Sequence, residues 1–269
     1  MITSNNNAKV KQVVQWQTKA KERRRDRVFL AEGVRMCEEA PVENVREVYL
    51  TEELEQKIKL NAQSGDTVFW DKLQQTGYET VSPEVFAKMA DTQTPQGILT
   101  VLEQPSYKLT QLLEQSDPLF LMLENLQDPG NLGTMIRTGE GAGITGVIMN
   151  DRTVDVFNPK TIRATMGSIF RVPFVYVPDL SPVLTQMHEK GIHTYAAHLK
   201  GQKYYDTFSF REPTAFLIGN EGNGLTKEIS DQAGQYLKIP MEGKVESLNA
   251  SIAAALLMYE AHRQRSQQG

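Results

Sequence analysis

Short, almost wholly apolar runs alternate with amphipathic segments through the second half of this chain. The run at 118–123 begins with proline and continues with apolar residues only, as is typical of a strand buried on both faces of a parallel sheet. Similar runs recur at 147–149, 174–177, 193–197, 216–218 and 237–239. Segments with helical spacing separate most of them, so the alternation predicts an α/β fold.

The first hundred residues predict smaller α/β units. The expected elements are a helix at 9–24, a strand at 28–30 that enters a second helix, a strand at 45–50, a helix at 52–63, strands at 67–70 and 97–102, and a helix at 84–89. Residues 104–116 are rich in polar side chains and contain a proline, which is typical of a linker. We therefore predict a first domain at 1–103, a linker at 104–116 and a second domain at 117–269.

Composition limits the classes of protein that this chain can belong to. The 269 residues contain no apolar run of about 18 residues that could cross a bilayer, and the amino terminus lacks the pattern of a secretion signal. The single cysteine cannot form an internal disulfide, and the four histidines show no spacing typical of metal ligands. We expect a cytoplasmic protein with no membrane partner and no metal.

Positive charge is concentrated at the start of a chain whose net charge is −4. Residues 1–35 hold nine lysines and arginines against three acidic residues, among them Arg23, Arg24 and Arg25. Such a segment, with Trp16 and Phe29 nearby, predicts contact with the phosphates of a nucleic acid. A solvated helix face would show the same pattern, and the sequence leaves both interpretations open.

A glycine-rich loop follows the apolar run at 215–218. The segment 219–225 contains three glycines and two asparagines, so its backbone can approach a bound molecule closely. A second apolar segment, 236–240, also ends in a small polar turn. The two predicted strand ends are therefore expected to converge on one ligand pocket.

Residues 141–146 match the dinucleotide-binding pattern G-x-G-x-x-G, but their context is reversed. The pattern requires a strand before it and a helix after it, whereas here a helix precedes and the strand at 147–149 follows. These glycines are therefore predicted to end a helix in the left-handed conformation. A Rossmann-type dehydrogenase or methyltransferase is disfavoured.

Three motifs follow one another in the second half of the chain. They are Asn131-x-Gly133-x-x-x-Arg137-Thr138, Gly219-x-Glu221-x-x-Gly224-Leu225, and Ile239-Pro240-Met241 with Ser247-Leu248-Asn249-Ala250-Ser251. In this order they resemble the motifs of the SpoU, or TrmH-like, RNA 2′-O-ribose methyltransferases over residues 117–264. The segments 29–33 and 91–98 are similar to that family's substrate-binding domain, which resembles certain ribosomal RNA-binding proteins.

The resemblance implies an enzyme that uses S-adenosylmethionine. It implies a second domain with a deep trefoil knot, a mostly parallel sheet with helices on both faces, and a cofactor pocket of knotted loops at a homodimer interface. The residues that it places around the cofactor are Gly219, Gly224, Ile239, Ser247, Leu248 and Asn249. For Ser247 and Asn249, capping of a helix at 250–262 is an alternative role that could coexist with the first.

The same resemblance assigns activation of the ribose 2′-hydroxyl to Arg137. A guanidinium is effectively always protonated, so we assign it electrostatic activation of the hydroxyl and leave the proton acceptor open. Asn131 and Asn249 are expected in the same site, with Asn131 orienting Arg137 or the substrate. Glu221 is expected to form a hydrogen bond or ion pair there, and an ion pair that only stabilises the loop is the alternative.

A loop at 158–168 is a further candidate for contact with RNA. Lys160 and Arg163 suit phosphates and Ser168 lies in the same segment, although simple surface solvation is the alternative. Structured RNA is the expected substrate, with ribosomal RNA favoured over transfer RNA. A catalytically silent RNA-binding or ribosome-assembly factor on the same fold is the competing hypothesis.

Overall fold

The computed structural model describes residues 1–244 and 247–267. The chain forms two compact units. The first comprises Met1–Pro105 and Phe157–Phe170, and the second comprises Ser106–Val156 and the residues from Arg171 on. The segment Phe157–Phe170 thus packs with the first unit, although the predicted second domain is continuous from residue 117.

Strands and helices alternate along most of the described chain, which confirms the predicted α/β class. The strands are β1 Val28–Glu32, β2 Val45–Thr51, β3 Glu79–Val81, β4 Ile98–Glu103, β5 Leu119–Leu123, β6 Gly146–Asn150, β7 Phe174–Val177, β8 His193–Ala197, β9 Lys203–Tyr204, β10 Thr214–Ile218 and β11 Gln235–Lys238. The α-helices are α1 Ala8–Thr18, α2 Ala20–Asp26, α3 Val34–Glu39, α4 Glu52–Gln63, α5 Val68–Thr76, α6 Pro83–Met89, α7 Leu109–Leu113, α8 Pro129–Ala142, α9 Pro159–Thr165, α10 Ser181–Glu189, α11 Lys227–Gln232 and α12 Ala250–Ser266. Within the described residues, none of these helices is long and apolar enough to cross a membrane.

The first unit is built on a four-stranded mixed sheet of order β1-β4-β2-β3. Strand β4 is antiparallel to β1 and β2, and β2 is parallel to β3. One core cluster joins this sheet to α1 and α6 through residues that include Val10, Val13, Phe86 and Met89. A second cluster packs α4 and α5 on the sheet and includes Cys37 of α3.

The predicted helix at 9–24 is divided into α1 and α2 at Lys19. Lys19 is extended, with φ −125°, and therefore interrupts the helix. The buried Arg23 guanidinium donates to the carbonyl oxygens of Trp16 (2.6 Å) and Gln17 (3.3 Å), in the last turn of α1. The Asp26 carboxylate accepts hydrogen bonds from α1 as well, including one from Trp16 Nε1 at 2.7 Å. Local polar contacts thus fold α2 back against α1.

The predicted strand at 67–70 is wrong, because this segment begins α5. Phe69 and Leu73 are buried and lie four residues apart, whereas Val68 is 71% exposed. That spacing is helical, and four apolar residues alone do not distinguish a short strand from one turn of helix.

The second unit is built on a seven-stranded sheet of order β7-β6-β5-β10-β8-β11-β9. All of its described pairings are parallel. Every residue of β5, β6 and β10 is buried, as expected for strands covered on both faces. Because parallel strands share one carboxyl edge, the loops after β5, β8, β10 and β11 are brought to the same end of the sheet.

The predicted linker contains a helix that belongs to the second unit. Leu112 and Leu113 of α7 are buried in the core cluster that also contains Phe120 and Met122 of β5. Residues 109–113 therefore contribute to the core of the second unit, and the prediction of a linker over 104–116 is wrong for these five residues.

Helices α6, α8 and α9 begin with the same two-residue signal. In each, a polar N-cap precedes a proline, and the caps are Ser82, Asp128 and Asn158. The cap side chain accepts a hydrogen bond from a backbone N–H of the first turn, and proline at the first helical position loses no hydrogen bond. The end of α8 confirms the interpretation of the glycine pattern at 141–146, because Gly143 is left-handed, with φ 74°, and β6 follows.

Candidate functional site

A cavity of about 310 Å³ lies at the carboxyl ends of β8, β10 and β11. Its lining residues are Ala197, His198 and Leu199 after β8, residues 218–225 after β10, Leu237, Lys238, Ile239 and Met241 from β11 onward, and Ser247, Leu248, Ala250 and Ala253. Most of these contribute apolar side chains or glycine backbone, as in pockets for organic ligands. The predicted convergence of two strand ends is confirmed.

The tight closure of the loop requires glycine at position 219. A Cβ at this position would lie 2.0 Å from the carbonyl carbon of Gly224 and 2.1 Å from the nitrogen of Leu225. The loop is closed there by paired hydrogen bonds between Asn220 and Gly224, at 3.0 and 2.8 Å. The structure thus gives Gly219 a role in closing the loop, and the close approach of its backbone to a bound molecule stays a prediction.

The Asn220 side chain stabilises the same loop. Its Oδ1 accepts hydrogen bonds from the backbone N–H groups of Gly222 (2.9 Å) and Asn223 (3.1 Å). Its Nδ2 donates to the carbonyl oxygen of Asn125, in the loop after β5 (2.9 Å). The loops after two neighbouring strands, β5 and β10, are thereby joined.

Glu221 clamps this loop to the start of α8. Its carboxylate accepts hydrogen bonds from the backbone N–H groups of Gln127 (3.1 Å) and Asp128 (3.0 Å) and from Nδ2 of Asn131 (3.0 Å). Burial raises the pKa of Glu221, but the hydrogen bonds from Asn131 and from the backbone outweigh that effect and the pKa is lowered. A carboxylate held ionised by N–H donors is a positioning group and a poor proton acceptor.

Asn131 continues the hydrogen-bonded chain from Glu221 to Asn249. Asn131 Oδ1 accepts from Asn249 Nδ2 at 3.0 Å. Asn249 Oδ1 in turn caps α12, accepting from the backbone N–H groups of Ser251 (2.8 Å) and Ile252 (3.3 Å). The structure confirms helix capping, the alternative role of Asn249, while its place around the cofactor stays a prediction.

The residues predicted around the cofactor are largely brought together. Gly219, Gly224, Ile239, Ser247 and Leu248 all line the cavity. The sixth, Asn249, enters the hydrogen-bonded chain through its side chain.

Arg137 lies apart from this group. It is exposed on α8, about 9 Å further along the helix axis than Asn131, and it is absent from the cavity lining. The cation expected to activate the ribose hydroxyl is therefore not part of the cavity wall.

The triplet Arg23, Arg24 and Arg25 does not act as one basic patch. Arg23 is 3% exposed and caps α1, so its assignment to RNA is corrected to a role in folding. Arg25 forms ion pairs with Glu22 (2.7 Å) and Asp26 (2.8 Å). Arg24 remains exposed.

The candidates at 158–168 lie in the first unit. Arg163 forms an ion pair with Asp91, and Lys160 follows the N-cap of α9. Ser168 is 2% exposed, which contradicts its assignment to an RNA-facing loop.

The sequence analysis missed the cavity-lining residues that follow β8. His198 and Leu199 directly follow β8, and His198 is stacked on Tyr236 with ring centroids 4.8 Å apart. Its Nδ1 accepts from the backbone N–H of Lys200 (3.0 Å), and burial lowers the pKa of His198, with Lys200 contributing. The rule that ligands bind at carboxyl strand ends would have identified both residues once β8 was placed inside the sheet.

A buried carboxylate beside the cavity loop was also missed. Glu124, 5% exposed, follows β5 and accepts hydrogen bonds from both N and Oγ1 of Thr226, each at 2.7 Å. Thr226 is the N-cap of α11, so Glu124 holds the end of the 219–225 loop. Its position directly after an apolar run was the available signal.

The family of the chain follows from comparison with known proteins. Residues 118–259 match the model of the SpoU rRNA Methylase family, and they include the cavity and the hydrogen-bonded chain. The chain belongs to the SpoU rRNA Methylase family. Residues 7–100 match the MRM3-like substrate binding domain.

Individual relatives of this SpoU family member match nearly its whole length. It is 34% identical over 260 residues to the 23S rRNA (guanosine(2553)-2'-O)-methyltransferase RlmP of Bacillus subtilis (strain 168), covering 96% of this chain and 97% of that protein. The AdoMet-bound rRNA methyltransferase from Sinorhizobium meliloti superposes with a TM-score of 0.84 at 30% identity, covering 97% of each chain. The SpoU methyltransferase AviRb from Streptomyces viridochromogenes superposes with a TM-score of 0.82 at 28% identity, covering 97% of this chain and 99% of that one.

Proposed function

We propose that the protein transfers a methyl group from S-adenosylmethionine to a ribose 2′-hydroxyl of structured RNA. The observation that carries the proposal is the hydrogen-bonded chain Glu221–Asn131–Asn249, which joins three distant segments beside a cavity at the strand ends. Ribosomal RNA is favoured over transfer RNA because RlmP, which matches over nearly the full length, is named for a 23S rRNA nucleotide. A ribosomal RNA substrate implies the cytoplasm as the location.

The cavity fits the proposed cofactor in size and in lining. Its volume of about 310 Å³ lies within the range of pockets for small organic ligands. The backbones of Gly219, Ile239 and Leu248 would hold the cofactor, with Ser247 and Gly224 completing the wall. S-adenosylmethionine, when bound, supplies an electrophilic methyl group on a cationic sulfur.

The chain's own residues then have to present a sugar oxygen to that methyl group. Because the leaving thioether is neutral, alignment of the oxygen supplies much of the rate enhancement and little acid catalysis is needed. Asn131 is held at both ends of its amide, by Glu221 and by Asn249, and it is therefore suited to fixing a substrate group. Arg137 would stabilise negative charge that develops on the 2′-oxygen.

The position of Arg137 leads us to propose a homodimer. In one chain it is exposed and absent from the cavity lining, and we propose that a second copy supplies the guanidinium to the cavity. Ile252, Leu256 and Tyr259 form an apolar stripe on α12 and are 50%, 36% and 49% exposed. Such a stripe at helical spacing suits a second copy of the same surface. Its burial in a dimer is the proposed reason for its composition.

We also propose that the second unit contains a deep trefoil knot. Strand β11 ends at Lys238 near one edge of the sheet, and α12, which begins at Ala250, packs on α8. In the proposed knot, the chain between these two elements would pass through the loop after β10. Stretching the chain from both ends in an optical trap would then give a contour length shorter than that of an unknotted chain of 269 residues.

Transfer of label from methyl-labelled S-adenosylmethionine to RNA tests the proposed reaction. Unmodified ribosomal and transfer RNA are incubated with the protein, and the nucleosides are then separated. We expect label in a 2′-O-methyl nucleoside of ribosomal RNA. Label in transfer RNA alone would correct the substrate, and cofactor binding without transfer would establish the silent RNA-binding factor instead.

Mixed dimers test the contribution of Arg137 from a second copy. Arg137→Ala should retain cofactor affinity and lose methylation, whereas Leu248→Trp should fill the cavity and lose cofactor binding. Unfolding and refolding an equal mixture gives half heterodimers with one complete site each, so about a quarter of the wild-type activity should return. No recovery, with heterodimers present, would place Arg137 in its own chain's site or outside catalysis.

A further inference from the structure

The exposed face of α2 carries more positive charge than its ion pairs neutralise. Lys21, Arg24 and Arg25 are exposed at i, i+3 and i+4, so they share the face opposite the buried Arg23. The ion pairs of Arg25 leave it little charge to offer a ligand. Lys21 and Arg24 form no ion pair within residues 1–244 and 247–267.

Both ends of α2 carry a further exposed cation. Lys19 is the residue before the helix and Arg27 is the residue after it. Neither forms an ion pair with any described part of the chain. Lys19, Lys21, Arg24 and Arg27 are thus four exposed cations within the nine-residue segment 19–27, and we call this group the α2 basic surface.

Residues at the two ends of α2 oppose the stability of the helix. Lys19 makes no side-chain cap, at a position where serine, threonine, asparagine and aspartate are preferred. Its positive charge, like that of Lys21, also lies at the end of the helix where the backbone dipole is positive. Arg27 adopts φ 54° and ψ 46°, a left-handed conformation in which glycine is favoured. The cap geometry of α2 therefore does not account for the cations at its ends.

The chemistry of the α2 basic surface points to phosphate. Trp16 and Phe29, which the sequence placed near these cations as possible stacking partners, are 6% and 2% exposed and belong to the core. Without an exposed aromatic ring from these two residues, the surface offers a polyanion charge rather than base stacking. Lysine and arginine bind phosphates independently of the base sequence, by releasing counterions.

We propose that the α2 basic surface binds the sugar–phosphate backbone of the substrate RNA. The inference rests on the proposed function for the identity of the polyanion, and it adds which residues of the first unit hold it. In this assignment Arg24 binds RNA, whereas Arg23 and Arg25 maintain the helix pair α1 and α2. Contact is made to phosphates only, so binding through this surface is independent of nucleotide sequence.

A pair of double variants with equal charge change tests the α2 basic surface. Lys21→Gln with Arg24→Gln removes two of its cations, and Lys57→Gln with Lys88→Gln removes two exposed cations from α4 and α6 of the same unit. RNA affinity is measured by fluorescence anisotropy between about 50 and 200 mM KCl, where phosphate contacts dominate the salt dependence. The probes are a ribosomal RNA transcript and a scrambled transcript of equal length and similar secondary-structure content.

We expect RNA affinity to fall when cations of the α2 basic surface are removed, and to fall equally for the two transcripts. The first double variant should reduce the slope of log K against log salt by about 1.5 and weaken both transcripts by the same factor, about tenfold near 100 mM KCl. The control should keep the wild-type slope. Wild-type slope and affinity in the first double variant would overturn the proposal, as would a loss confined to one transcript.

Arg27→Gly supplies a readout that a purely structural role cannot reproduce. Glycine relieves the left-handed backbone, so the Tm should rise by about 2–4 °C. The slope of log K against log salt should nevertheless fall by about 0.8, because one phosphate contact is lost. A lower Tm would show that the Arg27 side chain stabilises the fold. An unchanged slope would show that its charge does not contact RNA. Either result would mean that Arg27 is not part of the RNA-binding α2 basic surface.

Failure of this proposal is distinguishable from failure of the proposed function. Normal RNA binding by the wild-type chain, weakened in the variants, without any methyl transfer would refute the enzyme and retain the surface. Normal methylation by a chain whose variants bind RNA as the wild type does would refute the surface alone. A wild-type chain that binds neither transcript would refute both.

Discussion

Replacing Gly219 by alanine tests whether the tight closure of the 219–225 loop shapes the cavity. The added Cβ would lie 2.0 Å from the carbonyl carbon of Gly224, whereas ordinary contacts begin at 3.4 Å. The facing backbone must therefore move by about 1.4 Å, the difference between these distances. Both hydrogen bonds between Asn220 and Gly224 lie in the part that must move.

The magnitude of the effect follows from these contacts. Overpacking of this kind costs about 1–3 kcal/mol, and weakening two hydrogen bonds adds about 1 kcal/mol. Gly219→Ala should thus lower the free energy of unfolding by about 2–4 kcal/mol. Displacement of a loop that supplies much of the cavity wall should also weaken cofactor binding at least about tenfold, which corresponds to 1.4 kcal/mol.

Gly222→Ala is the matched control in the same loop. A Cβ there meets only Oδ1 of Asn220, at 3.4 Å, so stability should change by less than about 0.5 kcal/mol. Urea unfolding gives the stability of each variant, and isothermal titration with S-adenosylmethionine gives its affinity. Equal stability and equal affinity in the two variants would refute the conclusion that close backbone approach at Gly219 determines the loop.

Three further predictions concern polar contacts. Arg265→Ala should lower the free energy of unfolding, measured by urea titration, by about 2–4 kcal/mol. The reason is that the half-buried Arg265 guanidinium donates to four backbone carbonyl oxygens at 2.8–3.3 Å. The control Arg263→Ala removes an ion pair with Glu260 and should lower it by less than about 1 kcal/mol. Hydrogen bonds from Arg25 and Trp16 lower the pKa of Asp26 to about 2 in the folded protein, whereas in the unfolded chain it is near 4. The charged carboxylate therefore stabilises the fold fully above about pH 4, and this stabilisation is lost as the pH falls toward 2. The difference in unfolding free energy between wild type and Asp26→Asn should therefore be constant above about pH 5 and shrink below about pH 4, and a difference independent of pH would contradict the assignment. Asn131→Ala breaks the hydrogen-bonded chain at its centre and should slow methylation about tenfold while cofactor affinity changes less; an equal loss of both would assign Asn131 to the cofactor pocket.

Much of the second unit could be predicted because its strands are buried on both faces. The prediction at 119–123 coincides with β5, since an uninterrupted apolar run has few other stable environments. The two-residue strand β9 could not be predicted, because its partner β11 fixes it and its own side chains are exposed. The prediction of a strand at 67–70 failed because a short apolar run fits the period of a strand and the period of a helix equally well.

The candidate site was predictable in its membership but not in its connections. Motif order brought Asn131, Glu221 and Asn249 into one prediction. The partners of Glu221 nevertheless lie 90 to 94 residues away in the chain, and the contacts depend on how β5 and β10 pair. The roles of Arg23, Arg24 and Arg25 depend on the phase of α2, which is set by the break at Lys19. No local pattern indicates that break, so the sequence treated the three residues alike.

The carboxylate of Glu221 has a consequence for the order in which ligands are bound. Because it fastens one wall of the cavity to the first turn of α8, a molecule that tightens that wall also restricts the helix that bears Arg137. Thermodynamic reciprocity then requires any strengthening of RNA affinity by the cofactor to be matched by an equal strengthening of cofactor affinity by RNA. The binding of the cofactor and the binding of RNA would in that case be coupled through the side chain of Glu221, which takes no part in the chemical step.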